Sequence, residues 1–127
     1  MGKTQALREL ITSQLETVSG GTYHKHAHRD ATYPYKVFSI SRVNLGDLSR
    51  DDFDVCIDIY DRAPNTKTVD QIGDDIEALF NDANLPQSTI LPTFFRSSRY
   101  PVEESDKLNQ HVQMHFDVEL YTLEVTE

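Results

Sequence analysis

The stretch DDFDVCIDIYDR, residues 51–62, decides how the chain is read. Phe53, Val55, Ile57 and Ile59 alternate with Asp52, Asp54, Cys56, Asp58 and Tyr60. A period of two belongs to a strand with one face in a core and the other turned out. Here the core face is aliphatic and the other face is acidic. HVQMHFDVEL, residues 111–120, repeats the pattern: Val112, Met114, Phe116, Val118 and Leu120 share one face, while His111, Gln113, His115, Asp117 and Glu119 share the other. Past Leu120 the apolar residues Tyr121, Leu123 and Val125 fall on the polar face, so the spacing predicts a bulge or a change of partner there.

Two helices are expected beside these strands. Leu7, Leu10, Ile11, Leu15 and Val18 form a stripe at helical spacing, with Thr4 as the predicted N-cap and Ser19-Gly20-Gly21 as the stop. Val69, Ile72, Ile76, Leu79, Phe80 and Ala83 form a second stripe, opened by a Thr68–Gln71 capping box and ended at Leu85-Pro86. Tyr35 to Val43 reads as a strand that begins after Pro34, and NLGDLSRD as a polar connection turning at Gly46. STILPTFFRSSRYP reads as an irregular strand because Pro92 lacks a donor. The predicted class is α+β: an antiparallel sheet of about four strands, order α-β-β-α-β-β, with two helices packed on one face, in a single domain over residues 1–127.

The totals exclude several classes. The 127 residues carry 21 acidic against 12 basic side chains, a net charge of −9. That opposes non-specific nucleic-acid binding and attraction to an anionic membrane. One cysteine, Cys56, leaves no internal disulfide. The start MGKTQALREL lacks a signal-peptide apolar run, and Ala6 stands where a myristoylation signal has Ser or Thr, so the chain is expected in the cytoplasm where it is made.

Three sets of residues invite a chemical reading. TYHKHAHRD, residues 22–30, spaces His24, His26 and His28 alternately, and alternate histidines in a strand can converge on Zn²⁺. Lys25 and Arg29 oppose a cation there, and only Asp30 offers a fourth ligand, so a solvated loop is the favoured reading. Asp52, Asp54 and Asp58 share a face but are strung out at ~6.5 Å per two residues, which suits a solvated sheet face better than a Mg²⁺ site. Cys56 lies among carboxylates that would raise its pKa and quench it. His111 and His115 stand near Asp117 and Glu119 as cross-strand charge pairs would. No Gly-rich phosphate loop, G-x-S-x-G or H-E-x-x-H occurs, so no catalytic, cofactor or metal residue is assigned and the chain is not read as an enzyme. The adjacent Phe94 and Phe95, together with Val37 and Phe38, put apolar surface on both sides of the sheet, a sign of an oligomer contact.

The segments ATYPYKVFSI, DDFDVCIDIYDR, DDIEALFNDANLP and RYPVEESDKLNQHVQMHFDVELY, in this order and spacing, resemble the tail completion proteins of long-tailed bacteriophages and gene transfer agents. These are also called tail terminator or tail-to-head joining proteins. The resemblance runs from about Leu7 to Tyr121 and rests on Tyr33-Pro34-Tyr35, Asp58-Ile59-Tyr60-Asp61, Ile76 with Leu79, Leu85-Pro86, and Phe95-Arg96 through Tyr100-Pro101. The histidine loop matches nothing fixed in that family. The resemblance implies a virion protein, present in the host cytoplasm during assembly, that forms a homohexameric ring. The ring caps the tail tube protein, ends tube growth and docks on the head connector or head-closure protein, while DNA passes through the centre without specific binding. Expected subunit or partner contacts are Tyr33, Pro34, Tyr35, Phe94, Phe95, Arg96, Arg99 and Tyr100. The acidic face of Asp52, Asp54, Asp58, Asp117 and Glu119 is the candidate lumen lining. The alternatives are another head–tail part, a head-closure or tube protein, or a small metal-dependent enzyme.

Overall fold

A computed structural model describes residues 2–44, 50–81, 83–86 and 90–122. The elements are α1 (Lys3–Leu15), β1 (Gly21–His24), β2 (Tyr35–Asn44), β3 (Arg50–Arg62), α2 (Lys67–Phe80), β4 (Ala83–Asn84), β5 (Ile90–Pro101) and β6 (Asn109–Thr122). They form one six-stranded sheet in the order β1-β2-β3-β6-β5-β4. The four long strands and two helices keep the α-β-β-α-β-β order read from the periodicities. Two short edge strands are added, and β1 runs parallel to β2, so the sheet is mixed and not purely antiparallel. β1 lies inside the supposed histidine loop and is only four residues long, too short to announce itself by period.

β3 and β6 are central and pair without interruption from Arg50↔Tyr121 to Arg62↔Asn109. Phe53, Val55, Ile57 and Ile59 therefore stand beside Val118, Phe116, Met114 and Val112, and all are buried with Leu7, Leu10, Ile11 and Leu15 of α1 and Val69, Ile72, Ile76 and Phe80 of α2. Both helices thus cover the same face. The predicted slip at Leu120 is absent: Leu120 pairs Asp51 and Tyr121 pairs Arg50 in unbroken register, so Tyr121 is an outward residue of a regular strand. Leu123, Val125 and the Gly46 turn lie outside the described residues. The irregularity expected at Pro92 sits instead between Arg96 and Ser98, where an extra residue shifts the pairing with β6.

The helix ends differ in detail from expectation. α1 starts at Lys3 with Gly2 as an uncapped N-cap, not at Thr4. α2 starts one residue before Thr68. Asn65 Oδ1 accepts from the Lys67 N–H at 3.1 Å, Thr66 Oγ1 donates to Asp70 at 2.8 Å, and no Thr68 box forms. α2 ends at Phe80, because Asn81 is extended and Ala83 belongs to β4.

Polar struts join α1 to the sheet. Near its start, Lys3 pairs with buried Asp51 of β3. Beyond its end, Lys36 of β2, 0% exposed, donates to the carbonyls of Val18, Ser19 and Gly20 at 3.1, 2.9 and 2.6 Å. An ammonium has three N–H donors, and each finds an acceptor. Gly20 has a φ of +92°, and a Cβ there would lie 2.9 Å from the Pro34 carbonyl oxygen, so the turn that presents these carbonyls needs glycine. The Tyr33–Pro34 bond is cis.

Burial pushes the Lys36 amine down to about 8, against the raising pull of Glu16. Between that value and the ordinary 10.5 the unfolded chain binds more protons at this site, so its contribution to stability grows as pH rises through that window. Lys36→Met removes the donor to three carbonyls, that of Val18 buried and those of Ser19 and Gly20 partly so, and should cost about 1–3 kcal/mol. Urea denaturation should show that deficit at pH 7.5, and the deficit should widen towards pH 10.

Candidate interaction surface on the outer sheet face

Strand alternation turns Asp52, Asp54, Cys56, Asp58 and Tyr60 of β3, and His111, Gln113, His115, Asp117 and Glu119 of β6, away from the helices. The register sets Asp52 opposite Glu119 and Asp54 opposite Asp117. Like charges facing across strands destabilise a sheet unless cations intervene. Arg50 intervenes at the first pair, with Nε 2.9 Å from Asp52 and Nη2 3.0 Å from Glu119. His115 Nδ1 lies 3.2 Å from Asp54. Asp117 has no ion-pair partner among the described residues.

At the other end of the face, His111 sits between two carboxylates. Its Nε2 is 2.6 Å from Asp58 and its Nδ1 3.0 Å from Glu104. Burial alone would lower its pKa, but the bonds to Asp58 and Glu104 outweigh it and hold the net value above 6.5. Burial raises Asp58, and the bonds from His111 and Gln113 more than reverse that, so its carboxyl stays below the usual range. Both shifts favour the charged forms, imidazolium on one side and carboxylate on the other. Tyr60 stacks on His111 with centroids 4.2 Å apart, Tyr35 stacks on Tyr60 at 5.1 Å, and Tyr33 lies 5.3 Å from Tyr35. Burial, then the Asp58 charge, pushes the Tyr60 hydroxyl up to about 12. Burial, then Asp58 and Asp54, pushes the Cys56 thiol up to about 12 as well, and its Sγ lies 3.7 Å from Asp58. The thiol is held protonated, as the acidic face predicts.

The expected contact residues separate into two groups. Tyr33, Tyr35, Phe95 and Tyr100 lie on this outer face with the five acidic residues. Tyr100 donates to Gln113 and stacks at 6.4 Å on His115. Phe94 points the other way, 1% exposed and 4.8 Å from Phe80, as adjacent strand residues must. Arg96 and Arg99 also turn towards the helices. Arg99 Nη1 reaches Asp74 at 2.8 Å and Glu77 at 3.1 Å, and Arg96 reaches Glu77 at 3.2 Å. Gly73 leaves room for the Arg99 guanidinium, which a Cβ would approach to 2.7 Å. These three residues brace α2 on β5. Pro34 abuts Gly20.

The three histidines do not form an array. Lys25 adopts a φ of 68° and its N–H bonds the Phe38 carbonyl, which ends β1 and breaks the alternation after His24. His24 turns inward to lie 5.0 Å from the Phe38 ring, while His26 and His28 are exposed. Burial, then Arg8 and Lys25, lowers the His24 pKa. Among the described residues no three His, Cys, Asp or Glu side chains converge as a metal ion requires, and no helix is long and apolar enough to cross a membrane. Sequence reasoning missed Arg50 and Glu104 as partners on the outer face. Arg50 opens the β3 alternation and was legible from it; Glu104 lies in a loop and was not.

No protein-family model matches the chain, and no curated protein matches it. Among solved structures it is similar to a chain described as the virion of a native gene transfer agent (GTA) particle. The identity is 12%, the TM-score 0.69, and the match covers 93% of this chain and 90% of that one. At that identity the likeness is one of fold.

The two shifted histidines give a direct test. In an NMR pH titration His111 should titrate above 6.5 and His24 below it, and Asp58→Asn should bring His111 back towards 6.5 without moving His24.

Proposed function

We propose that this chain is a structural subunit of a tailed-phage or gene-transfer-agent particle. In this reading it assembles as a hexameric ring that caps the tail tube, ends its growth and joins it to the head connector or head-closure protein, with DNA passing through the centre. The observation that carries the reading is the shared fold with a gene-transfer-agent virion chain over nearly the full length of both. The sequence segments that resemble tail completion proteins support it, because they fall on β2, β3, α2 and β6, the elements that build the sheet and its main helix. A particle part of this kind works by shape and adhesion.

Net charge bears on the role of the ring. At −9 per subunit, the ring repels DNA on average and leaves it free to move through. The acidic outer face was the expected lumen lining. Its carboxylates are largely answered by Arg50, His115 and His111, and four exposed aromatic rings share it. Such a face suits contact with protein better than a water-filled channel, and we assign it to contact.

Negative-stain electron microscopy tests the function. Purified protein should form rings, and rings added to polymerising tail-tube protein should sit at tube ends and stop elongation. Binding only to head-connector protein would favour the head-closure role, and co-polymerisation along the tube the tube-protein role. A strict monomer without affinity for tubes or connectors would overturn the reading.

A further inference from the structure

Four of the five large hydrophobic residues exposed among the described residues, Tyr33, Phe95, Tyr100 and Tyr121, lie on the outer sheet face. Phe95 and Tyr121 are each 38% exposed. Phe95 lines a shallow groove with Arg50, Asp52, Asp117 and Glu119, and Tyr121 stands opposite Arg50 in the β3–β6 register. Phe95 stands opposite Asp117 in the β5–β6 register, so the carboxylate without an ion-pair partner lies beside an exposed ring. A groove that sets an aromatic ring beside an unanswered carboxylate fits a cation carried on a partly apolar loop.

This chain carries such a loop. Residues 25–29, Lys-His-Ala-His-Arg, leave the end of β1 in an exposed turn, and neither Lys25 nor Arg29 has an ion-pair partner among the described residues. Lys25, His26 and Ala27 border the outer face beside Tyr35 and Tyr60. The loop cannot serve its own groove. β1 and β6 are three strand spacings apart, about 14 Å, and Asp117 lies three residues beyond Met114, whose register partner Ile57 faces Phe38 where the loop is anchored. The basic loop and the acidic-aromatic groove thus occupy separate places on one subunit, the loop at the β1 edge and the groove on the central strands. That is the arrangement of a head-to-tail contact, which closes into a ring when the rotation per subunit permits.

The geometry points to a heterologous self-contact in which the Lys25–Arg29 loop of one copy seats in the Phe95–Asp117–Tyr121 groove of the next. The inference rests on the ring reading and names its joint. Lys25 and Arg29 meet Asp117 and the flanking carboxylates, and Ala27 and the histidine rings pack on Phe95 and Tyr121.

Sedimentation velocity on full-length chains tests it. Wild type should form a closed oligomer. Lys25→Glu with Arg29→Glu should be monomeric, and so should Asp117→Arg with Glu119→Arg, each at a micromolar concentration that keeps wild type assembled. Lys25, Arg29 and Asp117 are exposed and Glu119 is half-exposed, and circular dichroism should show both doubles folded. Phe95→Ala, which keeps every charge, should weaken assembly at least tenfold. Mixing the two double variants should restore an interaction, because each supplies the surface the other has reversed. Assembly of either double variant at wild-type strength, or a mixture that stays monomeric, would overturn the joint while leaving the ring intact. A wild-type protein that is monomeric at every concentration would overturn the ring and the joint together.

Discussion

The Lys36 ammonium, enclosed between β2 and the turn after α1, is the constraint on which the rest of the structure depends. It occupies a core-face position where the alternation calls for an apolar residue, and it is fully buried. A charge in that place is tolerable only because Val18, Ser19 and Gly20 turn their carbonyls onto it. The lysine thus sets the path of the chain leaving α1: the turn must close at Gly20, and Gly21 must leave along β2. β1 follows from that path, and so does its parallel direction. The basic loop after β1 then has to emerge on the flank where it is found.

Opposite charges do similar work elsewhere in the fold. Lys3 and Asp51 hold the start of α1 over β3, and Arg96 and Arg99 hold α2 on β5 through Glu77 and Asp74. Each helix is therefore located twice, by its apolar stripe and by ion pairs at or beyond the stripe's margin. The apolar stripe supplies most of the driving force, since burial scales with area. The ion pairs, partly exposed, contribute less energy and more geometry. Because basic residues are scarce, those spent inside the fold are unavailable outside it. Arg96 and Arg99 resemble surface contacts in the linear sequence and are internal struts in the folded chain.

The outer face shows the same economy of cations. Arg50 pairs with Asp52 and Glu119, the His115 and His111 rings lie within bonding distance of Asp54 and Asp58, and Tyr60 and Tyr35 extend the His111 site into an aromatic ladder. The result is a surface that is acidic in composition and mostly paired in geometry. Asp117 beside Phe95 is the exception, and it lies three strands away from β1 and the loop that carries Lys25 and Arg29. That distribution of unanswered charge is what the proposed self-contact draws on.

The sequence by itself determined the central strands, both helices and the face each residue of β3 and β6 takes. Strong periods of 2 and 3.6 in Phe53–Ile59, Val112–Leu120, Leu7–Leu15 and Val69–Phe80 leave no other way to bury those side chains. It also determined that Phe94 and Phe95 part company, and that Cys56 would be quenched. Only the tertiary structure decided where the weakly patterned parts go. In Tyr35–Val43 the adjacent Val37 and Phe38 blur the period, so the inward course of Lys36 is invisible until the carbonyls that receive it are in place. β1 and β4 are too short to show a period, and the break in the histidine alternation depends on one backbone angle at Lys25. The partners of Arg50, Arg99 and His111 lie between 2 and 69 residues away along the chain. Charge pairing follows distance in space, which the order of residues does not state, whereas burial follows the local period, which it does.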